Sequence, residues 1–168
     1  MVRAWVSIGS NISPQANVRD AVAALRRRFG VLAVSTVFRT EAVGFDGQPF
    51  LNLVVGFDTD EPPEQVFDAL RAIEDAQGRT RTGAKFGART LDLDLLLYGD
   101  RRTEVRGRPL PHPDILDYPF VLGPLAELVP EQRHPVDGRR YAELWAAMRG
   151  RGEGADMAAV ALDGLEPG

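Results

Sequence analysis

Apolar and polar positions alternate at the start of the chain. Val2, Ala4, Val6 and Ile8 are interleaved with Arg3, Trp5 and Ser7, the two-residue period of a strand with one buried face. Gly9-Ser10-Asn11 breaks that period and offers turn and capping chemistry ahead of a helix. Val18, Ala21, Val22, Leu25 and Phe29 then recur at helical spacing, with Arg26, Arg27 and Arg28 where the helix dipole favours cations. The β-branched run from Val31 to Phe38 predicts a second strand, and Glu41 to Pro49 a loop. Leu51, Leu53, Val55 and Phe57 predict a third strand, the hairpin partner of the second. Pro62 and Pro63 suit a helix start, Val66, Phe67, Leu70 and Ile73 give its apolar face, and Gly78 is the expected stop. Leu91, Leu93, Leu95 and Leu97 predict a fourth strand, and Phe120 to Leu128 and Arg139 to Met148 two further helices.

The order β-α-β-β-α-β predicts an α+β fold, a ferredoxin-like sandwich with a mostly antiparallel sheet, helices on one face and extra C-terminal helices. One domain is expected over residues 1–149. Residues 150–168, rich in Gly, Ala and acid, are expected as a C-terminal appendage in which Ala158 to Leu162 could add a short strand.

Composition narrows the function without naming it. The 44% hydrophobic and 26% charged content over 168 residues is that of a soluble globular domain, and the net charge of −4 gives no field for nucleic acid or an anionic membrane. No apolar run approaches the roughly 20 residues of a spanning helix, and Met1 to Ser10 lacks a signal-peptide pattern. A cytoplasmic location is therefore the expectation. The absence of cysteine excludes disulfides, thiolate metal sites and cysteine nucleophiles.

Thr90-Leu91-Asp92-Leu93-Asp94-Leu95 is the sharpest chemical signal. Side chains two apart on a strand share a face, so Asp92 and Asp94 stand side by side, about 7 Å apart along the chain. Aspartate is disfavoured in strands and adjacent like charges repel, so a compensating cation is expected. No lysine or arginine shares their face within the strand, and hard oxygen ligands suit magnesium, which completes its shell with water and substrate phosphates. Just upstream, Arg79, Arg81, Lys85 and Arg89 place four cations in eleven residues of a stretch rich in glycine and threonine. A cationic loop entering a carboxylate-bearing strand is what polyphosphate transfer requires. Gly78 to Lys85 fails the P-loop test, because the lysine does not follow the second glycine and the segment follows a helix.

Other candidates are weaker. Glu74, at the end of an apolar stripe, either caps a buried edge or faces a site. Phe50 and Asn52 share a strand face and read either as the floor for a flat heterocycle or as a cross-strand packing pair. His112, between Pro111 and Pro113, could reach a phosphate. His134 has no supporting neighbours and reads as surface.

With these segments laid out, the chain resembles the 6-hydroxymethyl-7,8-dihydropterin pyrophosphokinase family from about Trp5 to Pro130. The shared signatures are Gly9-Ser10-Asn11, Phe38-Arg39-Thr40, Gln48-Pro49-Phe50-Leu51-Asn52, Ile73-Glu74, Gly78-Arg79-Thr80-Arg81, the run from Phe86 to Asp94, and Pro111-His112-Pro113. The resemblance implies transfer of diphosphate from ATP to the pterin hydroxymethyl group, a step of folate biosynthesis that releases AMP. It implies that Asp92 and Asp94 hold two magnesium ions, that Arg79 and Arg89 contact the transferring phosphates, and that Glu74, Arg81, Lys85, Leu95 and His112 serve ATP. Thr40, Val43, Gly44, Phe50, Asn52, Phe86, Asp92, Tyr118 and Phe120 match the pterin pocket. The partners implied are these two small molecules and a monomer is expected, with no nucleic acid and no membrane.

The sequence departs from the family pattern at Glu41-Ala42, where two prolines are usual, and at Phe86, where tryptophan is common. Asp114 and Tyr118 stand where arginine is usual, and Arg106 and Arg108 are the nearest replacement cations in sequence. Two rival readings stay open at this point, a metal-dependent phosphohydrolase and a pterin- or nucleotide-binding paralogue with weak or no turnover.

Overall fold

The computed structural model describes residues 1–41, 49–78 and 91–165. The elements in chain order are β1 (Val2–Ser10), α1 (Pro14–Phe29), β2 (Ala33–Val34), β3 (Val37–Thr40), β4 (Phe50–Thr59), α2 (Pro63–Ala76) and β5 (Asp92–Tyr98). There follow β6 (Thr103–Val105), β7 (Arg108–Leu110), α3 (Asp114–Asp117), α4 (Pro119–Leu128), α5 (Tyr141–Gly150) and β8 (Ala158–Val160). The main sheet runs β5-β1-β4-β3-β8, with β2 also on β4, and its paired strands are antiparallel. Counting β2 and β3 as one strand, the order is fourth, first, third, second, which is the ferredoxin-like arrangement. None of the described helices is long and apolar enough to cross a membrane.

The predicted second strand is two short ones because Ser35 and Thr36 interrupt it. Ala33 and Val34 pair with Gly56 and Val55, but Phe38 pairs with Asn52, so one extra residue bulges from this side of the ladder. The buried Ser35 bridges the gap: its amide donates to the Val54 carbonyl at 3.0 Å and its hydroxyl accepts the Val54 amide at 2.9 Å.

Helices cover both faces of the sheet, which corrects the expectation of one. The α1 and α2 stripes (Val18, Val22, Leu25, Val66, Leu70) pack with Val6, Ile8, Leu53, Val55, Phe57, Leu93 and Leu95. On the opposite face, Val121, Leu122, Leu125, Tyr141, Leu144 and Met148 from α4 and α5 pack with Trp5, Val54, Leu96 and Leu97. Trp5, read from the alternation as lying on a polar face, is therefore buried. Leu97 also changes sides. Trp5 pairs with Leu97 but Val6 pairs with Leu95, so Leu96 is a bulge that shifts the phase of β5 after Leu95. The β6–β7 hairpin, absent from the sequence pattern, turns through Arg106 (φ 52°) and Gly107 (φ 79°), the left-handed pair of a tight hairpin turn. At the other end, β8 lies along β3, and Leu162 and Leu165 are buried in the α1/α2 core.

His134, expected at the surface, is only 4% exposed. Its ring lies edge-on to Tyr141, and Nδ1 accepts the amides of Val136 at 3.1 Å and Asp137 at 3.0 Å. Burial holds the imidazole below the ordinary histidine value, with Asp137 opposing. The unfolded chain takes up this proton near pH 6.5 and the folded chain only at lower pH. Unfolded protein thus binds more protons across that window, and stability falls as pH drops through it. Urea unfolding from pH 7.5 to 5.5 should show a steeper loss for wild type than for His134→Gln; equal slopes would remove the histidine from this role.

Gly56 faces Trp5, and a Cβ built there would lie 2.2 Å from the indole. Gly56→Ala should destabilise by about 1–3 kcal/mol, as overpacking in a close-packed core does. Unchanged denaturant midpoints by circular dichroism would contradict that packing.

Candidate active site

Strand register brings the candidate residues onto the face that α4 covers. Gly9 of β1 stands opposite Asn52 on one side and Asp92 on the other, while Ser7 stands opposite Val54 and Asp94. Thr40 is paired with Phe50. Because side chains alternate, Thr40, Phe50, Asn52, Asp92 and Asp94 project from one side of the sheet. The start of α3 and the turn into α4 roof this floor with Asp114, Tyr118, Phe120 and Val121. Between them lies a cavity of about 450 Å³.

One end of the cavity suits a flat, polar ring. Asn52 and Thr40 are buried, and Asn52 Nδ2 donates to Thr40 Oγ1 at 2.9 Å, which fixes the amide. A Cβ at Gly9 would meet Asn52 Oδ1 at 3.1 Å, so the glycine keeps the amide uncrowded. Tyr118 and Phe120 stack with centroids 5.1 Å apart, forming an aromatic wall beside Phe50. Tyr118 is thus part of the cavity wall.

The other end is acidic. Asp94 lines the cavity and also a second, smaller crevice whose wall includes Phe67, Arg71, Leu95, Arg108 and His112. One ligand atom from each of Asp94, His112 and Asp114 lies within 4.8 Å of the others. Burial raises the Asp114 carboxyl above the ordinary carboxylate value; His112 opposes, and the Asp94 and Asp117 charges add to the rise. His112 is fixed at two points: its amide donates to the Leu96 carbonyl at 2.9 Å, and Nδ1 accepts the Asp114 amide at 3.1 Å. A neutral ring held this way carries its proton on Nε2, a donor suited to phosphate or nucleotide oxygen.

Hard carboxylate oxygens two residues apart, in the wall of a cavity large enough for substrate and water, fit a magnesium site. A protein cation also reaches Asp94 from outside β5: Nη2 of Arg71 in α2 lies 3.9 Å from Asp94 Oδ1. The contact crosses from helix to strand, so no pattern within β5 marks Arg71. Its only local signal is the three-residue spacing to Glu74.

Glu74 is fully buried, and Oε2 accepts the Leu93 amide at 2.7 Å. Leu95 is buried between the first core and the crevice. Arg106, considered as a replacement for the missing arginines, instead makes a two-pronged ion pair with Asp68, while Arg108 lines the crevice. Val43, Gly44, Arg79, Arg81, Lys85, Phe86 and Arg89 lie outside the described residues.

A sequence profile of the 7,8-dihydro-6-hydroxymethylpterin-pyrophosphokinase (HPPK) family matches residues 5–130. The chain is 40% identical to the 2-amino-4-hydroxy-6-hydroxymethyldihydropteridine pyrophosphokinase of Pseudomonas aeruginosa over 86% of its length and 91% of the relative's. The enzyme of that name from Synechocystis is 38% identical, with 84% of this chain and 73% of the relative covered. In structure, the chain is similar to Plasmodium falciparum HPPK-DHPS A437G with pteroate, at a TM-score of 0.76 and 12% identity. That match covers 99% of this chain but 48% of the other, and it speaks for the fold. The chain belongs to the 7,8-dihydro-6-hydroxymethylpterin-pyrophosphokinase family and is an ATP-dependent pyrophosphokinase of folate biosynthesis.

Proposed function

We propose that this chain binds 6-hydroxymethyl-7,8-dihydropterin in the large cavity and ATP along the crevice beside it, and joins them at Asp92 and Asp94. The observation that carries the reading is the position of Asp94, which lines both spaces. The hydroxymethyl oxygen gives up its proton to solvent and bonds to the β-phosphorus, the bond from that phosphorus to the α,β-bridging oxygen breaks, and AMP leaves with that oxygen. Asn52, fixed by Thr40, pairs with the pterin edge, while Phe50, Tyr118 and Phe120 flank its faces. His112 donates from Nε2 to the nucleotide. Asp92 and Asp94 are the residues that would hold two magnesium ions, which would offset the negative charge of the triphosphate. Arg79, Arg81, Lys85 and Arg89 are the proposed phosphate cations, and Val43, Gly44 and Phe86 complete the proposed pterin contacts. Glu74 and Leu95 are proposed to serve ATP from below the crevice. The chain is proposed to act as a cytoplasmic monomer, with residues 1–149 as its catalytic unit.

Product analysis tests the reaction. With Mg-ATP and the pterin, AMP should form in a strictly pterin-dependent manner. ADP as the main product, or phosphate without the pterin, would replace this reading by kinase or phosphohydrolase chemistry. Asp92→Ala and Asp94→Ala should each abolish turnover with melting temperatures at or above wild type, since removing one carboxylate relieves repulsion of up to about 1 kcal/mol. Near-normal turnover of both variants in magnesium would sink the metal assignment.

Tyr118 separates ring recognition from phosphate chemistry. An aromatic contact of about 0.5–1.5 kcal/mol corresponds to at most about a tenfold change. Tyr118→Ala should raise KM for the pterin within that range and alter kcat less, whereas Tyr118→Arg should retain turnover. A large kcat loss in Tyr118→Arg with unchanged pterin KM in Tyr118→Ala would show that tyrosine acts elsewhere.

A further inference from the structure

The outer edge of β5 is closed by side chains of α2. Glu74 Oε2 accepts the Leu93 amide at 2.7 Å, and Arg71 Nη1 donates to the Leu93 carbonyl at 3.3 Å and to Glu74 Oε1. Leu93 stands between Asp92 and Asp94, so the backbone carrying both carboxylates is held at its midpoint. The Arg71 guanidinium also rests on the Phe67 ring, 4.6 Å from its centroid. Two contacts thus hold it on α2 and one ties it to the β5 backbone, while Nη2 stands 3.9 Å from Asp94 Oδ1. That separation is in ion-pair range and too long for a hydrogen bond. Among the described residues, Arg71 is the only lysine or arginine within ion-pair range of Asp94.

We propose that Arg71 is a built-in counter-ion for Asp94 that a divalent cation supersedes, and that Glu74 sets how strongly it competes. The proposal rests on the reading of Asp94 as a metal ligand. Without a metal, Asp94 faces Asp114 and Asp92 nearby, and the guanidinium offsets part of this accumulated negative charge. The grip of Glu74 and the Leu93 carbonyl stops Arg71 from closing onto Asp94, which leaves the carboxylate oxygens open to a cation. Removing the arginine removes a competitor and a repulsive charge. Neutralising Glu74 releases the guanidinium toward Asp94. The two changes therefore move metal affinity in opposite directions, which loss of structure at either residue would not do.

Manganese serves as the probe, its binding to the nucleotide-free full chain followed by the free-ion electron paramagnetic resonance signal. Arg71→Met should bind Mn²⁺ about two- to fivefold more tightly than wild type, the range for a partly exposed ion pair. Glu74→Gln should bind it more weakly, and Arg71→Lys should stay near wild type. Asp94→Asn should lose the site, which checks the metal reading separately. If Asp94→Asn loses binding while Arg71→Met is unchanged or weaker, the counter-ion role is overturned and the metal reading stands. If Asp94→Asn binds like wild type, both fall. Circular dichroism confirms folding, and should Arg71→Met fold poorly, Glu74→Gln decides: unchanged or tighter binding there also overturns the proposal.

Discussion

Two carboxylates sit two residues apart on a strand at the edge of its sheet, and much of the surrounding structure answers to that placement. An edge strand exposes a row of unpaired amides and carbonyls, and charge on it adds repulsion to incomplete pairing. Here Glu74 and Arg71 take up the Leu93 backbone, and the His112 amide takes up the Leu96 carbonyl. The second contact also places the imidazole beside the acidic end of the cavity. One set of bonds therefore finishes the sheet and arranges the site, so disturbance of α2 reaches β5 through Leu93.

The bulge at Leu96 has a comparable double effect. Before it, β5 turns its leucines to the α1/α2 core and its aspartates to the cavity. After it, Leu96 and Leu97 face the α4/α5 layer and Tyr98 returns to the first core. Acidic and apolar residues thus share one sheet face in separate zones, the carboxylates lining the cavity and the leucines packed under the helices.

The period-two runs in β1 and β4 and the apolar stripes of α1 and α2 were legible because each is recorded within about a dozen residues. The Asp92/Asp94 pair was legible for the same reason, as was the shared face of Phe50 and Asn52. Trp5, Leu97 and His134 were misread because their burial depends on helices and turns far away in the chain. Nothing near Trp5 signals that α4 and α5 return to cover it, and no propensity marks Leu96 as a bulge. Arg71 was missed because its partners, Leu93 and Asp94, lie across a helix–strand contact. Several expected phosphate and pterin residues stand outside the described segments, so they carry expectations drawn from sequence alone.

Both tryptophans of the chain, Trp5 and Trp145, belong to the layer formed by α4, α5 and the sheet face they cover. The strands that form the cavity floor are complete by Tyr98, while the roof comes from α3 and α4, later in the polypeptide. Intrinsic indole emission in this protein is therefore a reporter of roofing. It registers whether the late helices have settled over a finished sheet, and it is nearly blind to the leucine and valine core on the far side.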